Sequence, residues 1–476
     1  MPSFIRLLIN FYENKAIISQ WREFIELGFI DDFLCGTTLC VKRGLSVLRN
    51  IDHRMSVTRL QNAISAKFNL QVVEDIVNKK SHLEETIVEN IRIDENFTNK
   101  GDAYIGQICR LGIEICGKNK TKHEEKDCIS VVVKFLPKNL TRRKTFRCHL
   151  FFNNEINFYT KVWPPFQKFQ EDRNNHGYFD NVPLLLSFYK DGENDFLALS
   201  DLTVEGYQRI PRGKALNQPH TSAFLKLLAK FHALSLAFKD QRPEDFENIA
   251  TTLRENYYHE NYRSWFEPHL KNLFATAIDA VDKQLPQRYS KTFENFLKTD
   301  VYSGICEGCR VRGPLSVVTH GDVWAPNFLV KYDGENIEKI VIIDFQLSRY
   351  TTLSADLTFF LFTCADVDLL EEKWDDLVEL YYESLVQNLQ ELGSGGLVSL
   401  GDLHDDLKRS MVFGVGVAIE NIIMSLLGEE DVEDLDTLQG DEVPVTNVWK
   451  VRPFQDKSKR ERFAKFVKFV VDKNFI

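Results

Sequence analysis

The residues with the clearest chemical potential lie between Val317 and Arg349, in VVTHGDVWAPNFLVKYDGENIEKIVIIDFQLSR. His320-Gly321-Asp322 follows an apolar, strand-like run, and Asn327 comes five positions after Asp322. A second carboxylate, Asp344, ends a later apolar run. Asp and Asn five apart on a loop, with another Asp closing the next hairpin, suit phosphoryl transfer. One carboxylate accepts the proton of an attacking hydroxyl, while the amide oxygen and the other carboxylate hold Mg²⁺ on nucleotide phosphates. The elements that must position these groups are a strand ending at Thr319 and a hairpin. Phe328–Tyr332 and Lys339–Ile343 read as two strands around an Asp333-Gly334 turn.

Upstream, Ser130–Pro137 reads as a strand with one lysine, Lys134, among apolar residues. Burying that charge is costly unless it is paired or at an edge. A carboxylate partner is available in Glu155, within a helical pattern over 151–162 whose Phe152, Ile156 and Tyr159 share a face. Gly101 and Gly106, five apart between two strand-like stretches, read equally well as a phosphate-approaching loop or as an ordinary hairpin turn. Further strands are expected at 86–93, 108–115, 182–189 and 196–199, and a strong helix at 221–239. Cys306 and Cys309 fall in an expected loop, without the second ligand pair that zinc needs. His232 reads as a core histidine. The basic run Lys138–Lys144, the acidic stretch Gly428–Val443 and the basic face of a helix over 458–473 all read as solvated surface.

The pattern H-G-D-x-W-x-x-N followed by D-F-Q is similar to the H-R-D-x-x-x-x-N and D-F-G of protein kinases. It resembles more specifically the insect ecdysteroid kinase-like family, related to choline kinases and aminoglycoside phosphotransferases. The resemblance runs from near Leu70 to the late 460s. It implies an α+β, bilobal protein kinase-like fold, with a small antiparallel-sheet N-lobe (66–200) and a larger, mostly helical C-lobe (201–476). Residues 1–65 would form an extension of unassigned role. It further implies that the loop carrying Gly101, Asp102, Tyr104 and Gly106 covers ATP, that Lys134, steadied by Glu155, holds its phosphates, and that Asp201 and Leu202 form the adenine hinge. Asn327 and Asp344 would hold Mg²⁺, Asp322 would act as base and His320 would brace the catalytic loop. The family's usual hinge Glu is Ser200 here, and Gly106 stands where Ser is common. The implied reaction moves the ATP γ-phosphoryl group to a hydroxyl of a small molecule, an ecdysteroid or related apolar alcohol. A nucleotide-binding pseudokinase or apolar-ligand carrier, and a protein kinase, are the alternatives. The missing A-P-E after Asp344 argues against a protein kinase.

Composition limits the remaining classes. With 43% hydrophobic and 27% charged residues the chain is ordinary for a globular protein. A net charge of −10 disfavours wholesale nucleic-acid binding. No apolar run is long enough for a membrane span, and the nine scattered cysteines are expected to be reduced in a cytoplasmic protein.

Overall fold

A computed structural model describes residues 53–81, 86–94, 105–117, 126–173 and 179–476. The stretches 4–11 and 21–33, which read in sequence as short amphipathic helices, and the loop residues Gly101, Asp102 and Tyr104 lie outside the described residues.

The small lobe is built on a five-stranded antiparallel sheet in the order β1-β2-β3-β5-β4. Its strands are β1 (Thr86–Asp94), β2 (Gln107–Gly117), β3 (Lys126–Phe135), β4 (Leu185–Tyr189) and β5 (Phe196–Ser200). Alternation puts Leu111, Ile113, Val131 and Val133 on a buried face. Two helices cover that face, α1 (His53–Ala63) and α2 (Leu70–Lys80). Leu60, Ile64, Phe68, Val73 and Ile76 share one core with Val131 and Phe196. The lobe boundary expected at residue 66 therefore falls inside a packed core, and α1 belongs to the small lobe. Between β3 and β4 run α3 (Leu140–Thr145), α4 (Cys148–Asn157), one π-helical turn at Phe158–Val162, and α5 (Trp163–Glu171).

The large lobe is mostly helical. After β6 (Gln208–Arg209) come α6 (Gln218–Gln241), α7 (Pro243–Ala250), α8 (Arg263–Gln284), α9 (Gln287–Leu297) and α10 (Val301–Gly308). Helix α6 buries Phe224, Leu228, Phe231 and Phe238, as its apolar period demands. The short strand β7 (Ser316–Thr319) pairs with β10 (Arg349–Thr352), and the hairpin β8 (Phe328–Asp333) with β9 (Asn336–Ile342) lies between them in sequence. Then follow α11 (Leu353–Cys364), α12 (Val367–Glu391), α13 (Leu400–Arg409), α14 (Met411–Ser425), α15 (Val445–Val448) and α16 (Lys457–Asp472). Among the described residues no helix is long and apolar enough to cross a membrane.

Four surface or loop expectations are corrected. The segment around Cys306 is helix α10, capped by Asp300, and both Cys306 and Cys309 are buried. Arg142, in the supposedly solvated basic run, is buried. The acidic stretch after Gly428 docks on that run. Arg142 Nη1 pairs with Asp436 at 2.8 Å, Lys144 pairs with Asp441, and Asn139 Nδ2 donates to the carbonyls of Asp436 and Leu438, both at 2.9 Å. The basic face of α16 is likewise paired, Lys465 with Asp368 at 2.7 Å and Lys468 with Glu371 at 2.9 Å. Separation in sequence hid these contacts, because each partner lies about a hundred residues or more away.

Candidate active site

The His320–Asn327 segment is held from beneath by Asp356, near the start of α11. Its carboxylate accepts the backbone N–H of His320 at 2.7 Å and of Gly321 at 2.9 Å. His232 Nε2 lies 3.2 Å from the same group, and its Nδ1 lies 2.7 Å from the Tyr381 hydroxyl, so His232 is the expected core histidine. Burial raises the Asp356 carboxyl, but these bonds and the nearby imidazoles outweigh it and keep the group below the usual range.

His320 is fully buried. Its Nδ1 accepts the Asp322 N–H at 3.2 Å, and its Nε2 meets the Ile343 carbonyl at 2.9 Å. Those two partners require a neutral ring protonated on Nε2, and burial does push its pKa down. The geometry supports bracing and leaves this imidazole no route to act as a base.

Gly321 has φ +82°, and a Cβ there would lie 2.1 Å from the Leu347 carbonyl and 2.8 Å from Arg349 Nη2. Only glycine fits. Arg349 fills the vacated space. It donates to the Gly321 carbonyl at 2.8 Å and pairs with the buried carboxylate of Glu255. The H-G-D motif has glycine where H-R-D has arginine beside the aspartate, and Arg349 was not singled out from the sequence. The available signal was an arginine directly after D-F-Q-L-S, in a strand that pairs with the one leading to His320.

Asp322 is the most perturbed carboxylate of the loop. Burial, reinforced by the charge of Asp344, raises it to about 7, against the opposing pull of Asn327, Arg349 and Lys134. Asn327 Nδ2 donates to the Asp322 carbonyl at 2.9 Å and to its Oδ2 at 3.0 Å. Both amide hydrogens are thus used on Asp322, and Oδ1 is the atom left for a cation.

On the small-lobe side, Lys134 Nζ lies 2.6 Å from Glu155 Oε2 and 2.8 Å from Asp344 Oδ1. Burial works against the lysine's charge, but the two carboxylates outweigh it and keep it protonated. Burial raises the Glu155 carboxyl, opposed by Lys134. Helix α4 is fixed to the D-F-Q segment by Asn154, whose Nδ2 donates to the carbonyls of Gln346 at 3.0 Å and Ser348 at 2.7 Å. The π-turn then presents Phe158 to Phe345, their rings stacked 3.7 Å apart. This anchor holds Asp344 at φ +71°, a left-handed conformation that Asp tolerates better than most residues.

Lys134, Asp322, Asn327 and Asp344 line one cleft of about 380 Å³, together with Gly106 and Arg212. Gly106 is confined by the Phe152 ring, which a Cβ would meet at 3.0 Å, and its carbonyl accepts from Arg142 at 2.7 Å. Asp201 and Leu202 are not among the lining residues. The Asp201 carboxylate turns inward, to Ser130 Oγ and Thr203 Oγ1, each at 2.7 Å, and to Arg110 Nε at 2.7 Å. Arg209 to Arg212, just beyond the hinge, line the cleft instead. A second hollow of about 130 Å³ shares Asp322, Trp324, Gln346 and Arg212 with the cleft. Its other walls are mainly aromatic: Phe146, Phe151, Tyr257, Tyr258, Phe359 and Trp449. Sequence reading singled out none of these six as site residues, since they come from well-separated segments without a shared motif.

The fit to Mg²⁺ can be judged from the donors. Among the described residues no three His, Cys, Asp or Glu side chains cluster as metal ligands. One carboxylate and one amide oxygen match an ion that takes its remaining ligands from phosphates and water.

An antiparallel small lobe, a helical large lobe and a Lys–Glu pair facing an Asp/Asn/Asp set define a bilobal kinase-like protein. The chain belongs to the ecdysteroid kinase-like family, whose model matches residues 100–394. No curated protein matches it. Solved structures similar to it include a GDP complex of a mutant aminoglycoside 2'-phosphotransferase-IIIa, 13% identical, covering 85% of this chain and 98% of that one, with a TM-score of 0.36. An ethanolamine kinase of Plasmodium vivax is 12% identical, covering 81% and 98% respectively, with a TM-score of 0.31.

Proposed function

We propose that this protein transfers the γ-phosphoryl group of ATP to a hydroxyl of a small molecule with an apolar body, an ecdysteroid or a related alcohol. The observation that carries this reading is the position of Asp322, which lines both the polar cleft and the aromatic hollow. The nucleotide would occupy the cleft and the acceptor the hollow, meeting at this carboxylate.

Lys134 would hold the nucleotide phosphates, released from its direct contact with Asp344 while Glu155 keeps it in place. Asp344 and the Asn327 Oδ1 would hold Mg²⁺, which when bound neutralises phosphate charge. Asp322, raised to about 7 by burial and by Asp344, can accept the proton of the acceptor hydroxyl near neutral pH. That oxygen then attacks the γ-phosphorus and ADP departs. The loop with Gly101, Asp102, Tyr104 and Gly106 would cover the phosphates. Cys128, Cys148, Cys306, Cys309 and Cys364 form no disulfide, which suits a cytoplasmic location.

The test is incubation with Mg·ATP and a panel of hydroxysteroids and simpler apolar alcohols, read by mass spectrometry. One phosphate gained by at least one alcohol, with generic proteins unlabelled, is the expected result. Alcohol binding without any ester would favour a carrier, and label on protein would favour a protein kinase. Folded protein that fails to bind Mg·ATP would overturn the assignment.

A further inference from the structure

The aromatic hollow contains one group that the proposed transfer does not use. Glu420 lies in α14, whose other residues are mostly apolar, MVFGVGVAIENIIMS. It is 95% buried, at 5% exposure, and lines the hollow together with Asn421. Each carboxylate oxygen accepts one phenol. Tyr257 donates to Oε1 at 2.6 Å and Tyr258 to Oε2 at 2.7 Å. Both tyrosines line the same hollow, so the carboxylate is fixed at its wall rather than hidden behind it.

Three facts suggest that this carboxylate is a recognition group. Two phenols fill only about half of the roughly four acceptor positions of a carboxylate. Among the described residues no lysine or arginine forms an ion pair with it, and His269 Nε2 stands 3.7 Å from Oε1, outside hydrogen-bond range. A buried carboxylate in an apolar wall is costly unless further donors reach it. The nearby cations are engaged elsewhere. Arg212 donates to the Met424 carbonyl, and Arg147 stacks over the rings of Tyr262, 3.9 Å away, and Trp265, 4.4 Å away.

We propose that Glu420 determines acceptor specificity, and that the acceptor is two-ended: a hydroxyl presented to Asp322, a compact apolar body among the rings, and a distal O–H or N–H donor bonded to Glu420. A hollow of about 130 Å³ takes roughly one six-membered ring, with any larger body extending out through its open side. Acceptors with a distal carboxylate or phosphate are excluded, because they would face a fixed anion. This inference rests on the phosphotransferase reading for the hydroxyl end, while the Glu420 end can be tested separately.

The probes share one skeleton: cyclohexylmethanol, cyclohexanedimethanol, its aminomethyl counterpart and its carboxylate counterpart. The full chain should turn over the diol or the amino alcohol with KM roughly 10–100-fold below that of the mono-alcohol, as expected for a bond to a charged group. Glu420→Gln should erase that advantage and Glu420→Asp should restore part of it, while Mg·ATP affinity by calorimetry stays at the parent value and shows that the fold is intact. A preference for the diol would identify a hydroxyl as the natural donor, and a preference for the amine a cation. Equal KM values for the mono-alcohol, the diol and the amino alcohol, equal losses on every probe in Glu420→Gln, or a preference for the carboxylate would each overturn the proposal. If no probe is phosphorylated, calorimetry of the same probes with a non-hydrolysable nucleotide still decides. Glu420-dependent binding of two-ended probes would uphold the proposal while the transfer reading fails, and equal binding of all would refute it.

Discussion

The cleft and the aromatic hollow touch at Asp322, Trp324, Gln346 and Arg212, yet they are built in opposite ways. Most polar chemistry of the cleft comes from one strand-and-helix pair around Lys134 and one loop-and-hairpin from His320 to Asp344. The hollow draws its walls from the residue after α3, from α4, the segment after α7, the His320–Asn327 loop, the D-F-Q segment, α11, α14 and the segment after α15. A phosphate-and-metal site needs a few charged groups at fixed separations, which short local segments can supply. A pocket for an apolar body needs only surface of the right shape, and any helix that reaches the spot can contribute it. The difference implies that acceptor choice can change without disturbing nucleotide handling.

The strongest test of that division is Asp322→Asn, since Asp322 serves both sides. The variant should bind Mg·ATP and acceptor normally while kcat falls by roughly 10²–10⁴-fold. In the parent, kcat/KM should rise with pH as Asp322 loses its proton near 7, and Asn should abolish that limb. Normal turnover in the variant would remove Asp322 from the chemistry and with it the proposed meeting point of the two halves.

Next in size is Arg349→Leu. It strips the partner from buried Glu255, an expense of about 3–5 kcal/mol in unfolding free energy, measurable by urea titration. Arg349 also opposes the raised pKa of Asp322, so any activity that survives should show its pH limb displaced upward. A stable variant with an unmoved limb would count against a supporting role beneath the catalytic loop.

Tyr258→Phe probes the hollow alone. Removing one of the two phenols on Glu420 should cost about 1–3 kcal/mol in stability. It should alter the KM of the acceptor without changing Mg·ATP affinity by calorimetry. A weakened nucleotide affinity would show that the two sites are energetically coupled.

The smallest effect is expected from Asp436→Asn, which touches neither lining. Its partner Arg142 is buried but Asp436 is half-exposed, so solvent screening limits the loss to roughly 0.2–1 kcal/mol. The consequence should be a modest, salt-sensitive rise in the KM for ATP, transmitted through the Arg142 bond to the Gly106 carbonyl. A change in acceptor KM instead would place the acidic segment on the other side of the division.

Legibility in the sequence followed the same line. The hairpin, the Lys134 strand and the Glu155 helix were readable, because each depends on periodicity and residue type within a short stretch, whereas the bilobal α+β plan followed from the family resemblance of the motifs. Arg349 was not, because its closeness to Gly321 exists only through the pairing of β7 with β10. Asp201 sits where a hinge was expected, but an aspartate ahead of a tight turn caps that turn as readily as it meets a ligand. The role of Leu60 and Ile64 in the small-lobe core escaped notice because their helix is amphipathic in an ordinary way. Glu420 carried a usable signal, a lone acid within an apolar helix, that pointed to burial without saying what it faced.

The docking of the acidic segment on the basic run has a consequence for how the chain is made. Arg142 and Asp436 are 294 residues apart in sequence, and the same contact set ties Asn139 and Thr141 to Asp436, Leu438 and Gly440. At ribosomal speeds of about 5–20 residues per second, roughly 15–60 s separate the synthesis of the two sides. During that interval the small-lobe sheet can assemble, but helix α3 lacks the groups that will neutralise its arginine and bond its side chains. A nascent chain paused in the large lobe should therefore expose residues 139–144 to proteases and chaperones until the acidic segment emerges. Closing so long a loop also places this contact among the late events of folding.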